Sequence, residues 1–170
     1  WQTVERSSQW ADFGGFWVGD LERGASASRV TVNGAVRYMR QGQPGKAVQL
    51  LERTDRETVK IHEARGEALM ALGRYDAAIE EFRRVFEERP RWTRTAYYAG
   101  LSMVEAGRLP EAESMLDQVR RLHPQSIYAT ALAANIQLAR GEPERAANLL
   151  ESALADPPRQ LQERIFLRLQ

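Results

Sequence analysis

The segment GRYDAAIEEF, residues 73–82, places a glycine just before an alanine-rich amphipathic run. The same arrangement occurs three more times, as GQPGKAVQLL at 42–51, GRLPEAESML at 107–116 and GEPERAANLL at 141–150. The glycines that open these segments are 31, 34 and 34 residues apart. An alanine follows each glycine by five residues, and a large apolar residue follows each alanine by four. A fixed period of this kind is the sequence signature of a repeat protein.

Each repeat is predicted to contain two helices joined by a tight turn. Apolar residues recur at helical spacing from Val59 to Leu72, and again in the run 78–86. Gly73 can supply the left-handed residue that ends the first helix, and Pro90 disfavours helical geometry just before it. The sequence therefore predicts an all-α fold, a solenoid of antiparallel helix pairs.

This pattern resembles that of the tetratricopeptide repeat family. The family's 34-residue unit has small residues at positions 8 and 20, a large apolar residue at position 24 and a proline at position 32. With units counted from Val59, Thr93 and Ile127, the chain has residues of these types in this register: Gly66, Gly100 and Ala134 at position 8; Ala78, Ala112 and Ala146 at 20; Phe82, Leu116 and Leu150 at 24; Pro90, Pro124 and Pro158 at 32. The resemblance covers residues 28–170 and implies a right-handed superhelix.

The register divides the chain into six segments. They are an aromatic-rich N-terminal segment at 1–27, a degenerate unit at 28–58, three units at 59–92, 93–126 and 127–158, and a capping or truncated helix at 159–170. The N-terminal segment holds three of the four tryptophans. Three interpretations of it stay open: it caps the first unit, it contacts a partner or a second copy, or it lies beside a lost membrane anchor.

Composition argues against several functional classes. Lys+Arg total 24 against 23 Asp+Glu, so the chain lacks the charge expected of a general nucleic-acid binder. The absence of cysteine excludes disulfides, thiolate zinc sites and a cysteine nucleophile. His62 and His123 lie in different units and lack the spacing of metal ligands. We therefore predict no catalysis, no cofactor and no metal.

Residue usage bears on the origin of the chain. Lys46 and Lys60 are the only lysines, and this preference for arginine indicates a bacterial coding bias. Because the chain starts at Trp1 and not at methionine, we interpret it as a fragment or a processed form. Its compartment stays open between the cytoplasm and a periplasmic or membrane-anchored location.

The resemblance also implies where a partner would bind. In this family, certain positions of the first helix of each unit line an inner groove that receives a peptide or helix of another protein. Transferred to this chain, they give an apolar and aromatic floor with a charged rim. The predicted partner-binding residues are Val36, Met39, Arg40, Lys60, Glu63, Glu67, Met70, Arg94, Tyr97, Leu101, Tyr128, Leu132 and Asn135. Alternatively, some of these residues, Leu132 and the neighbouring Tyr98 above all, belong to the core between units.

One known use of such a groove does not fit. A carboxylate clamp for chaperone tails needs a lysine and an asparagine four residues apart in its first unit, where this chain has Val32 and Val36 or Glu63 and Glu67. The resemblance thus implies a protein–protein interaction scaffold or adaptor of unspecified partner. Two alternatives remain: a self-assembling repeat protein, and an interaction module of a larger enzyme or envelope assembly complex.

Overall fold

The computed structural model describes residues 27–54 and 57–155, which form eight α-helices and no strand. The helices are α1 Ala27–Arg40, α2 Pro44–Glu52, α3 Val59–Ala71, α4 Tyr75–Glu88, α5 Thr93–Glu105, α6 Leu109–Leu122, α7 Ile127–Ala139 and α8 Pro143–Ala155. None of these helices is both long enough and apolar enough to cross a membrane. The predictions for the N-terminal segment and for residues 159–170 lie outside the described residues.

The helices form antiparallel pairs in chain order, which confirms the solenoid. In each pair the first helix packs on the second, and the second packs on the first helix of the next pair. The first helices α1, α3, α5 and α7 also contact one another in sequence, whereas within 27–54 and 57–155 no two second helices do. The first helices are thus closer together than the second helices, so the stack of helix pairs curves toward the side of the first helices. The first helices therefore line the inner face of the curve.

A glycine with positive φ follows the first helix of each pair. The φ angles of Gly42, Gly73, Gly107 and Gly141 are 68, 71, 75 and 77°. At the second of these turns the N–H of Gly73 donates to the Met70 carbonyl at 3.0 Å, and the N–H of Arg74 donates to the Leu69 carbonyl at 2.9 Å. These two bonds form a Schellman motif, which requires the left-handed conformation that glycine adopts without strain. The regular spacing of these glycines in the sequence therefore reflects the regular spacing of the ends of the first helices.

Small residues let neighbouring helices approach closely. An ideal Cβ added to Gly66 would lie 2.7 Å from Cε1 of Phe82, a ring that is fully buried. Gly100 has the same relation to the side chain of Leu132 in the next pair. The small residues predicted at these approaches, Gly66, Ala78, Gly100, Ala112, Ala134 and Ala146, are all buried.

Arg65 links the degenerate first unit, which lacks the closing proline, to the second unit through hydrogen bonds. Its Nη2 donates to the Leu51 carbonyl at the end of α2 at 3.0 Å and to Oε1 of Glu57 at 3.1 Å. Its Nη1 lies 3.4 Å from Oε1 of Glu81, and Oε2 of Glu81 lies 2.7 Å from Nδ1 of His62. A side chain of α3 thereby satisfies a terminal carbonyl of α2, and the ring of His62 contacts the same cluster of charged side chains through Glu81.

Candidate functional site

Four charged side chains join α3 to α5 on the inner face. Glu63 lies at the centre: its Oε2 accepts a hydrogen bond from Nζ of Lys60, and its Oε1 accepts one from Nη2 of Arg94, both at 2.7 Å. The hydroxyl of Thr95 donates to the same Oε1 at 3.4 Å. Nη2 of Arg94 also lies 3.3 Å from Oε1 of Glu67. We call Lys60, Glu63, Glu67 and Arg94 the charge cluster.

The two carboxylates of the charge cluster hold their protons differently. Burial acts to raise the pKa of Glu63, but the hydrogen bonds from Lys60 and Arg94 outweigh it, so this pKa lies below its ordinary value. Burial raises the pKa of Glu67; Arg94 opposes this shift and Glu63 adds to it. Glu63 is therefore the ionised partner of both cations, while Glu67 carries its charge less readily.

Three tyrosines continue the inner face from α5 to α7. The Tyr98 ring stacks on the buried Phe82 ring at 5.9 Å between centroids, Tyr97 lies 5.3 Å from Tyr98, and Tyr128 lies 5.9 Å from Tyr97. The Arg94 guanidinium lies 5.7 Å from the Tyr98 centroid. Because each such ring pair contributes about 0.5–1.5 kcal/mol, these half-buried rings form a fixed aromatic surface. We call Tyr97, Tyr98 and Tyr128 the tyrosine ladder.

Trp92 and Tyr98 belong to this face although neither is among the predicted site residues. Nζ of Lys60 lies 4.5 Å from the Trp92 ring centroid and the Arg89 guanidinium lies 5.7 Å from it, within the range of cation–π interactions. Trp92 is the N-cap residue of α5, so helical periodicity does not place it. Tyr98 was assigned to either groove or core, and its ring contacts both Phe82 and the ladder.

The remaining predicted residues surround these two groups. Val36 and Arg40 on α1 are exposed, whereas Met39, Met70, Leu101 and Asn135 are half-buried. The amide of Asn135 donates to the Ala131 carbonyl of its own helix at 2.8 Å. Met39 and Met70 pack against the core of the first two units, so they contribute more to that core than to an exposed floor.

Two of the predicted positions need correction. Leu132 is fully buried between α5 and α7, where it packs against Gly100, so its assignment to the groove floor was wrong. Glu63 was assigned to the charged rim, but it is only 5% exposed and lies beneath Lys60 and Arg94. The chemistry that Glu63 can offer a partner is indirect, through the cations that it holds.

Over the residues that the structure describes, no three His, Asp or Glu side chains are placed to hold a metal ion together. The inner face is instead an open surface of fixed charges and aromatic rings, presented by regularly repeated helix pairs. Such an array defines the class of protein as an α-solenoid of short helical repeats. Two models of the tetratricopeptide repeat match residues 33–91 and 103–164, together more than half of the chain. The chain belongs to the tetratricopeptide repeat family, whose members are in general non-catalytic scaffolds for protein interactions.

Solved structures share this fold. A tetratricopeptide repeat protein from Parabacteroides merdae superposes with a TM-score of 0.65 at 21% identity, over 92% of this chain and 67% of that protein. MamA superposes with a TM-score of 0.66 at 18% identity, over 92% of this chain and 95% of MamA. MamA from Desulfovibrio magneticus gives 0.59 at 23% identity, over 76% of each chain. At these identities the likeness establishes the fold alone.

One curated relative is the Vi polysaccharide export protein VexE of Salmonella typhi. It is 31% identical to this chain over 131 residues, which is 72% of this chain. The match spans only 20% of the length of VexE. The named source organisms are all bacteria, in keeping with the bacterial origin inferred from the arginine preference.

Proposed function

We propose that the chain is a non-catalytic scaffold that holds a peptide or helix of another protein against its inner face. The observation that carries this proposal is the tyrosine ladder next to the charge cluster. Tyrosine and arginine are the residue types that most often dominate binding energy at protein interfaces. The ring contacts fix the tyrosines before a partner arrives, so little side-chain entropy is lost on binding.

Exposed apolar side chains on the first helices support the same proposal. Leu138 on α7 is 53% exposed and Val36 on α1 is 37% exposed, and both occupy positions that the family uses for inner-face contacts. Exposed apolar surface on these helices favours a partner segment with apolar side chains of its own.

The charge cluster supports binding over catalysis. Its carboxylates and cations pair with each other, and the hydroxyl that donates to Glu63, that of Thr95, is fully buried. A hydroxyl in that position cannot reach a substrate on the surface. The cluster therefore has the character of a fixed recognition surface.

Selection of short random peptides on the intact chain tests this proposal. Replacing both Tyr97 and Tyr128 with alanine should lower the affinity for the selected peptides by at least about thirtyfold, the effect of losing about 2 kcal/mol at an interface hot spot. Tyr75→Ala is the matched control, since Tyr75 is a half-buried tyrosine of the second helix α4. Fluorescence anisotropy gives the dissociation constants. Failure to select any binder, or equal affinity of the double variant and the control, would contradict the proposal.

The similarity to VexE favours a second candidate, an interaction module within a larger protein of polysaccharide export. This candidate predicts that the chain binds another component of an export system from the same bacterium. A bacterial two-hybrid assay of the chain against each such component tests it, with the Tyr97 and Tyr128 double variant as the control. Absence of any interaction across the set would remove this candidate.

A further inference from the structure

We propose that Lys60 and Arg94 form a preorganised cation pair that receives an aspartate or glutamate side chain of the partner segment, beside the apolar contacts on Tyr97 and Tyr128. This inference rests on the proposed function, because it names the chemistry of the segment that binds the inner face. It differs from the rejected carboxylate clamp in its residues, and its defining feature is the buried carboxylate beneath the pair.

Glu63 holds the two cations in place from below. Each of its oxygens accepts one hydrogen bond of 2.7 Å, one from Lys60 and one from Arg94. The Glu63 side chain is only 6% exposed, whereas those of Lys60 and Arg94 are 58% and 46% exposed. Two long side chains that would otherwise sample many rotamers are thereby fixed with their outer sides toward solvent. Fixing them in advance lowers the entropy cost of binding an anion.

Both cations keep donors for a partner. Arg94 contacts Glu63 and Glu67 through Nη2 alone, so across the described part of the chain the N–H groups of Nε and Nη1 have no ion-pair partner. Lys60 has three N–H donors, and its bond to Glu63 uses one of them. A guanidinium can bind a carboxylate through two parallel hydrogen bonds, so Arg94 supplies direction as well as charge.

The electrostatic environment favours an incoming anion. Lys60 and Arg94 both donate to the Glu63 carboxylate, and burial raises the pKa of the second carboxylate, Glu67. The first turns of α3 and α5 carry no acidic residue, whereas those of α4, α6 and α8 each carry one. The positive ends of the two helix dipoles are therefore not neutralised within their own helices. The rings of Trp92 and Tyr98 lie beside the two cations, 4.5 Å from Nζ of Lys60 and 5.7 Å from the Arg94 guanidinium, and help to hold them in place.

The two recognition elements lie side by side and so define the partner segment. The cation pair lies between α3 and α5, and the tyrosine ladder leads from there to α7, where Leu138 is exposed. A segment that satisfies both carries an acidic side chain at one end and apolar or aromatic side chains at the other. Its acidic end is placed over α3 and its apolar end over α7.

Affinity measurements with the selected peptides test this inference. Changing Lys60 and Arg94 together to glutamine should lower the affinity for an acidic peptide by at least about tenfold. Changing the acidic residue of the peptide to its amide should lower the affinity of the unmodified chain by the same factor. The two changes together should cost little more than either one, since both remove the same contact. The matched control changes Lys46 and Arg91, two exposed cations outside the charge cluster, to glutamine and should alter affinity by less than about twofold. Lys60→Gln alone removes an exposed side chain, and should weaken the same peptide in a chain whose helical circular dichroism is unchanged.

The outcomes separate this inference from the proposed function. Failure to select any peptide would overturn both. Peptides that lose affinity with the Tyr97 and Tyr128 double variant, but bind the Lys60 and Arg94 double variant as well as the unmodified chain, would overturn only the cation pair. Selected peptides without an acidic residue would do the same.

Discussion

Replacing Gly66 with alanine would place a methyl group against the ring of Phe82. The ideal Cβ lies 2.7 Å from Cε1 and 2.9 Å from both Cδ1 and Cζ, distances at which one of the two groups must move. Phe82 is fully buried and stacks on Tyr98, so its ring cannot move without shifting the tyrosine ladder. We expect overpacking to cost about 1–3 kcal/mol, offset by about 1 kcal/mol of helix propensity gained by alanine over glycine. The net change in the free energy of unfolding is then a loss of about 0–2 kcal/mol.

Gly45→Ala is the matched control for this substitution. Gly45 lies in α2, and an added Cβ there would meet nothing within 4 Å. The control should therefore gain up to about 1 kcal/mol, and the two variants should differ by about 1–3 kcal/mol. Urea unfolding followed by far-ultraviolet circular dichroism measures both free energies, provided that the denaturant slopes agree. A Gly66 variant as stable as the Gly45 variant would refute the close approach of α3 and α4.

Four further substitutions test the account through their effect on the free energy of unfolding. Because the pKa of Glu63 lies below its ordinary value of 4.5, its contribution to stability is present above that value and is lost as pH falls through the folded-state pKa. The unmodified chain should therefore lose more stability than Glu63→Gln between about pH 7 and about pH 3, as measured by urea unfolding at each pH; equal losses would mean that Glu63 is not held by its cations. Gly73→Ala should lower the free energy of unfolding by about 1–2 kcal/mol, as measured by thermal denaturation, because Gly73 has a φ of 71° that alanine adopts only with strain. An added Cβ would have no atom within 4 Å, so no steric clash contributes. An unchanged free energy would show that the turn changes conformation to accommodate alanine. Leu132→Ala should cost about 2–5 kcal/mol and Tyr128→Ala clearly less, and the reverse order in urea unfolding would place Leu132 at the surface.

The helix pairs are predictable because their signals are local. Gly73 marks a helix end through its own backbone, and Pro110 and Pro143 lie in the first turns of α6 and α8. The first helices α3, α5 and α7 begin at Val59, Thr93 and Ile127, the residues from which the repeat register is counted. The helix ends and the helix starts can both be predicted without knowing any contact to a distant residue. The repeat period and the turn residues are therefore sufficient to predict the helix pairs.

The details of the inner face are not predictable in the same way. Periodicity places a side chain on one face of its helix, but it does not say how far the adjacent helix covers that face. Tyr98 and Leu132 share the sixth position of their units, yet Tyr98 is half-buried and Leu132 is fully buried. Glu63 becomes an anchor only because Arg94, 31 residues later, folds over it. Such contacts depend on the geometry between units, which the repeat pattern leaves unspecified.

The location of the bound segment tests the central claim most directly. Hydrogen–deuterium exchange of the intact chain, with and without a saturating selected peptide, reports which helices the peptide covers. The inner-face proposal predicts that peptide binding slows exchange in α3, α5 and α7 and leaves α4 and α6 unchanged. Slower exchange confined to α4 and α6 would contradict it, because those second helices lie on the opposite side of the solenoid.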